Sequence, residues 1–202
     1  MKKVKLIVVT AVCMLILACG KSSSSNGPAE PTTLELCQSG WSAYDAAEYN
    51  DAAVYFTEAL ELDDGFSEAY AGRGWACLRS DMLAEAETDF LDFFSTTQQT
   101  DYRVLIGLGS IYVTENQGAA VTALLSSHMD IPDSWSHDHD PDITAIDLHN
   151  LLAEGFIMTG VEGDEATSGA NDPDAWGQVK KSLSLNPTDA KALEIRSFLR
   201  GE

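Results

Sequence analysis

The sequence predicts an all-α fold, a solenoid of about four αα-hairpins closed by a C-terminal capping helix. Three observations carry that prediction. A 34-residue period relates Gly40-Trp41 to Gly74-Trp75, Ala52 to Ala86 and Phe56 to Phe90, and a fixed period of this length marks a stack of repeated supersecondary units. Within it, Ala52, Phe56, Ala59 and Leu60 recur at i, i+4, i+7 and i+8, which is one face of a helix. Helix-start signals recur as well: Thr32 with Glu35 makes a capping box, Ser67 and Asp142 suit N-caps, and Asp172-Pro173 sets a proline at a first helical position.

Taken in chain order, the first segment is not part of that fold. Met1-Lys-Lys-Val-Lys5 is a basic run, and Leu6 to Ala18 is unbroken apolar chain. Such a stretch is too short to span a bilayer, which takes about 20 apolar residues, and its flanks are those of an export signal. Residues 19–32 are Ser-, Gly- and Pro-rich and read as a tether with a reach of roughly 20 Å. Residues 33–202 form the repeat domain. Its first repeat covers 33–66 and its second 67–100. Gly109 and Tyr112 mark a third near 102–128. In a fourth, Leu152, Ala153, Phe156 and Gly160 supply one helix, and Ala175, Val179 and Pro187 the other. Two stretches, 126–141 and 161–173, interrupt the period as insertions. Gly163, in the second, is expected to tolerate a side chain. Residues 188–200 are amphipathic and cap the open end.

Small residues at Gly40, Ala52, Gly74 and Ala86 let helix backbones approach, and Phe56 and Phe90 fill the space beside them. This pattern of small residue, Ala and aromatic resembles the tetratricopeptide (TPR) repeat, strongly over 33–95 and more loosely beyond; Val121 and Phe93 stand where that family has Ala. Likewise Ile16-Leu17-Ala18-Cys19 resembles the lipobox of bacterial lipoproteins. The resemblance implies acylation of Cys19 as the mature N-terminus, and Gly20 after it implies release to the outer membrane. Whether such a protein faces the periplasm or the exterior stays open.

Composition narrows function. The chain has 12 Lys+Arg against 32 Asp+Glu, a net charge of −20. Losing residues 1–18 removes Lys2, Lys3 and Lys5 and no acid, which takes the mature chain to −23. That balance disfavours nucleic acid as a partner. No Gly-rich phosphate loop, nucleophile elbow or His-Glu-x-x-His motif is present, so the chain is read as no enzyme and as needing no cofactor. Cys37 and Cys77 fall about 9 Å out of register along neighbouring helices and read as buried free thiols. His137-Asp138-His139-Asp140 is the one run with metal-ligand chemistry. It is read first as a solvated loop entering a helix at Asp142, and second as a metal site built on His137 and His139.

The TPR resemblance implies that the first helix of each hairpin lines an inner groove. By register this places Trp41, Tyr44, Trp75, Arg79 and Arg103 there. Two indoles and a phenol exposed beside arginine are a typical hot-spot composition. The Lys/Asn set with which some relatives clamp a peptide carboxylate is absent, since Cys37 and Trp41 occupy two of its positions. The expected function is therefore a membrane-anchored scaffold that binds a protein or peptide segment in its groove, in cell-envelope assembly. The alternative is a small-ligand or metal-binding lipoprotein that uses the 126–142 insertion.

Overall fold

The computed structural model describes residues 30–202. The signal segment, Cys19 and nearly all of the tether lie outside the described residues. From Pro31 to Glu202 the chain is one compact unit.

The described residues form nine α-helices and one small hairpin. Helices α1 (Thr33–Asp45) and α2 (Tyr49–Leu62), α3 (Ser67–Arg79) and α4 (Leu83–Thr96), and α5 (Tyr102–Thr114) and α6 (Gly118–Leu125) make three hairpins. Helices α7 (Ala145–Met158) and α8 (Ala175–Leu185) make the fourth, and α9 (Ala190–Arg200) packs on both of them. The first helices α1, α3, α5 and α7 lie side by side along one face. The fold is thus the expected all-α solenoid with its cap.

Each first helix ends in the same way. Ala47, Asp81, Asn116 and Gly160 adopt left-handed backbone, with φ of 60°, 63°, 58° and 75°. The N–H that follows each reaches back five residues: Glu48 to Ala43 O at 2.9 Å, Met82 to Cys77 O at 2.9 Å, Gln117 to Tyr112 O at 2.8 Å and Val161 to Phe156 O at 2.8 Å. These are Schellman ends, which satisfy the last helical carbonyls. They set four repeats in register, even where side-chain identity has drifted.

Packing explains the small residues. The ring of Phe56 sits between Gly40 and Gly72, where added Cβ atoms would fall 2.8 Å and 2.2 Å from it. Phe90 sits between Gly74 and Gly107, at 2.6 Å from each. Each second-helix aromatic therefore locks onto its own first helix and onto the next one. In the third repeat Leu125 takes the aromatic's place against Gly109, at 3.1 Å.

Four local expectations are corrected. Ser67 is the first residue of α3, and the N-cap position is Phe66, with no side-chain cap bond. Asp142 lies within a strand, and α7 is capped by Thr144 with Asp147 in a capping box. Pro173 precedes helix α8, which starts at Ala175 with Asp174 as its N-cap. Gly163 has φ 75°, and its missing Cβ would lie 2.4 Å from Asp174, so that loop position demands glycine.

The 126–141 insertion is not a solvated loop either. After a short 3₁₀ turn (Ser126–His128), β1 (Ser136–His137) pairs antiparallel with β2 (Asp140–Thr144). Ile131 is buried, and the Ala145 N–H donates to Trp135 O at 3.1 Å, which closes the excursion at the start of α7. At the far end the basic terminal segment docks on acidic chain as expected: Lys191 meets Glu154 at 2.7 Å, Lys181 meets Asp133 at 2.7 Å, and Arg200 pairs with Glu165.

Candidate binding groove

The five groove residues that the repeat register selects do share the inner face, but that face is covered. Trp41 and Trp75 are only 6% and 3% exposed, and Tyr44 is buried. The expectation of exposed indoles is overturned, and the reason is the insertion, which crosses the groove and lays its histidines on these rings.

The platform is built from three consecutive repeats. Trp41 Nε1 donates to Glu68 Oε1 at 2.8 Å. Arg103 grips the same Glu68 through two bonds of 2.9 Å and also binds Asp101, the N-cap of its own helix. The Arg103 guanidinium lies 5.6 Å from the Trp41 ring centroid, within cation–π range. This chain of contacts fixes the plane of the Trp41 indole. Burial opposes the charge on Arg103, yet the two carboxylates hold its pKa above the ordinary value. Arg103 is therefore neutralised from within and is not a cation on offer to a partner, as the register alone had suggested.

On that platform the imidazole of His139 stacks on Trp41, with centroids 4.1 Å apart and planes 4° from parallel. Its Nδ1 lies 3.0 Å from Asp45 Oδ1. Asp138, which precedes it, is exposed to solvent. His137 is 1% exposed, among Trp41, Tyr44 and Trp75, with ring centroids at 5.9, 6.4 and 4.9 Å. Asp140 pairs with Arg79, whose Nε donates to the Tyr44 hydroxyl at 3.2 Å. So Arg79, the second expected cation, also has an acid from this chain.

The His139 backbone N–H donates to His137 Nδ1 at 3.0 Å. Burial first, and then the Arg103 charge, depress the His137 pKa to about 3. The ring is therefore neutral at physiological pH, and its proton sits on Nε2. That nitrogen is buried without an acceptor, as is Trp75 Nε1. An unmet buried donor costs about 1–3 kcal/mol. The segment fills the groove without satisfying it.

Beyond the insertion the groove continues into an open cavity of about 340 Å³. Trp75, Leu78, Ile106, Ile143 and Leu151 supply its apolar lining, with Arg79, Glu154 and Lys191 among the charged groups.

A comparison with solved structures decides the architecture. The chain is similar to YrrB, a TPR protein with an unusual peptide-binding site, at a TM-score of 0.50 and 17% identity over 82% of this chain and 92% of that one. The fold is TPR-like. No protein-family profile and no curated protein sequence matches the chain.

In a TPR-like solenoid the inner face is formed by the first helices, and here α1, α3 and α5 supply Trp41, Glu68, Trp75, Arg79 and Arg103. Sequence reasoning missed the part played by Asp140 and His139. The expectation that alternation in an extended segment sets His137 and His139 on one side is corrected: His137 ends β1 and His139 lies in the turn after it, and nothing local says that this turn faces an indole 98 residues earlier. Among the described residues no group of three His, Cys, Asp or Glu side chains converges to hold a metal ion. The His137 and His139 rings lie 6.3 Å apart and 73° from coplanar. Cys37 and Cys77 are buried free thiols, and burial pushes their pKa values up to about 12 and about 11. They are poor nucleophiles in that state.

Proposed function

We propose that this protein is a non-catalytic scaffold that holds a peptide or partner segment along the inner face of its solenoid, working from a membrane to which acylated Cys19 ties it. The observation that carries the reading is the groove itself. Its indoles and Arg79 already receive a stretch of polypeptide, the tip of the β1–β2 hairpin at residues 136–140, through ring stacking and an ion pair. A face that accepts backbone in that form has the shape and chemistry of a peptide site. The likeness to YrrB, described as having an unusual peptide-binding site, supports the same reading. The lipobox-like Cys19 supports anchoring, Gly20 supports the outer membrane, and the acidic surface favours a protein over a nucleic-acid partner. An envelope-assembly role follows from that location.

A photo-crosslinking residue placed at Ser110, which lines the open cavity, is expected to capture protein adducts in cells. The same residue at Glu58, exposed on α2, is not. Equal adduct yields at both positions would remove the groove from the function. For the anchor, Cys19→Ala is expected to abolish acyl labelling and detergent partition while Cys13→Ala leaves both intact; lipid labelling of the Cys19→Ala chain would overturn that part.

A further inference from the structure

We propose that residues 136–140 are a built-in occupant of the groove, standing where a partner's segment binds, and that the segment they stand in for carries two flat side chains two residues apart followed directly by a carboxylate. The inference rests on the reading of the inner face as a peptide site.

Three features set the partner's chemistry. The occupant is a hairpin tip: His137 ends β1, Asp138 and His139 make the turn and Asp140 opens β2, so that His137 and His139 both meet the groove rings while Asp138 between them is exposed. The outer ring position is a stacking site: Trp41, held by Glu68 and Arg103, offers a flat face on which His139 lies parallel. The next residue meets a cation, Arg79, oriented by the Tyr44 hydroxyl. In a molecule with 29 acids and three basic residues between positions 22 and 179, an arginine kept on the inner face selects an acid.

Two further features make the occupant replaceable. It belongs to an excursion between two repeats, and the glycine–phenylalanine locks that hold the repeats together close without it. Its grip is incomplete as well. The contacts at the groove edge are open to water, with Arg79 39% and His139 27% exposed in their side chains. At the buried position His137 brings an N–H donor next to Trp75, and neither donor finds an acceptor. A partner segment that presents an acceptor there gains a bond the occupant lacks.

The test uses a fluorescent peptide with the sequence of residues 135–143 as probe. It is titrated into the full chain and into a full-length His137→Ser, His139→Ser, Asp140→Ser variant whose helix content is checked by circular dichroism. Binding to the variant is expected to be at least tenfold tighter than to the parent. A peptide carrying His139→Ala and Asp140→Asn is expected to lose at least tenfold on the variant. Equal affinity for parent and variant, or no binding to a folded variant, overturns the proposal.

If the triple variant fails to fold, Asp45→Cys with His139→Cys replaces it, since these two side chains touch in the closed groove. The oxidised, locked chain is expected to exclude the peptide and the reduced chain to bind it. Equal binding in both forms overturns the proposal too. Adducts at Ser110 alongside a failed peptide test would sink this inference and leave the scaffold reading standing; loss of the Ser110 adducts would sink the scaffold reading itself.

Discussion

His139 lies flat on Trp41 because Trp41 cannot turn. Its N–H is taken by Glu68, its ring is flanked by the Arg103 guanidinium, and its inner edge meets Phe56 with centroids 5.2 Å apart. The tryptophan is thus core on one face and platform on the other. Trp41→Ala is expected to cost about 3 kcal/mol of stability, the usual range for emptying a buried indole site, read as a lower urea midpoint. A midpoint within about 0.5 kcal/mol of the parent would show that the ring is not packed as described. A smaller effect of opposite sign is expected at Ala47. Left-handed backbone costs a residue with Cβ about 1–2 kcal/mol, and glycine gives back roughly 0.5–1 kcal/mol of that in chain entropy. Ala47→Gly is therefore expected to stabilise by about 0.5–1 kcal/mol, seen as a higher melting temperature; a lower one would contradict the Schellman geometry.

At the scale of elements, the lock between second-helix aromatics and first-helix glycines was legible from the 34-residue period alone, since Gly40, Gly74, Phe56 and Phe90 repeat in register. Gly74→Leu forces a branched side chain into the ring of Phe90, and overpacking of this kind costs about 1–3 kcal/mol. A melting temperature unchanged by that substitution would mean that the register is wrong. Gly163 no longer serves as a neutral control, because its φ of 75° and its contact with Asp174 make it intolerant too. Thr32 and Glu35 were readable as a capping box because both partners lie within one turn. The start of α7 was misplaced by two residues because Asp142 and Thr144 are both good caps, and only the strand pairing of 140–144 chooses between them. The insertion itself was the largest miss. A run of His and Asp has the composition of solvated chain, and what orders it is an indole, a tyrosine and an arginine from α1 and α3, contacts that no local pattern encodes.

For the whole molecule, the covered groove makes stability depend on acid. His137 has a folded pKa of about 3 against an ordinary value of 6.5, so between those values the unfolded chain binds the extra proton. Stability is then fully present above about pH 6.5 and falls as the pH drops through that window. Burial also lowers His149, which adds to the trend, whereas burial raises Asp89 and Asp147, which opposes it. The contribution of His137 is isolated by comparison with His137→Gln. On going from pH 7.5 to 4.5 the parent is expected to lose about 2–3 kcal/mol more than the variant, measured by urea unfolding at each pH. Equal losses would place His137 in water.

An occupant on the same polypeptide has one property that no separate inhibitor shares: dilution cannot remove it. On the reading proposed above, the closed fraction of grooves is the same at one molecule per cell as at ten thousand, so the only variable left is how much partner is present. If the groove stands open about 1% of the time, a segment that binds the open form at about 1 μM requires about 100 μM to half-fill the population. A molecule confined with its partner to one membrane reaches such local concentrations far more readily than one free in solution. The hairpin between α6 and α7 would then set a threshold, silent for a partner met at random and crossed by one held on the same surface.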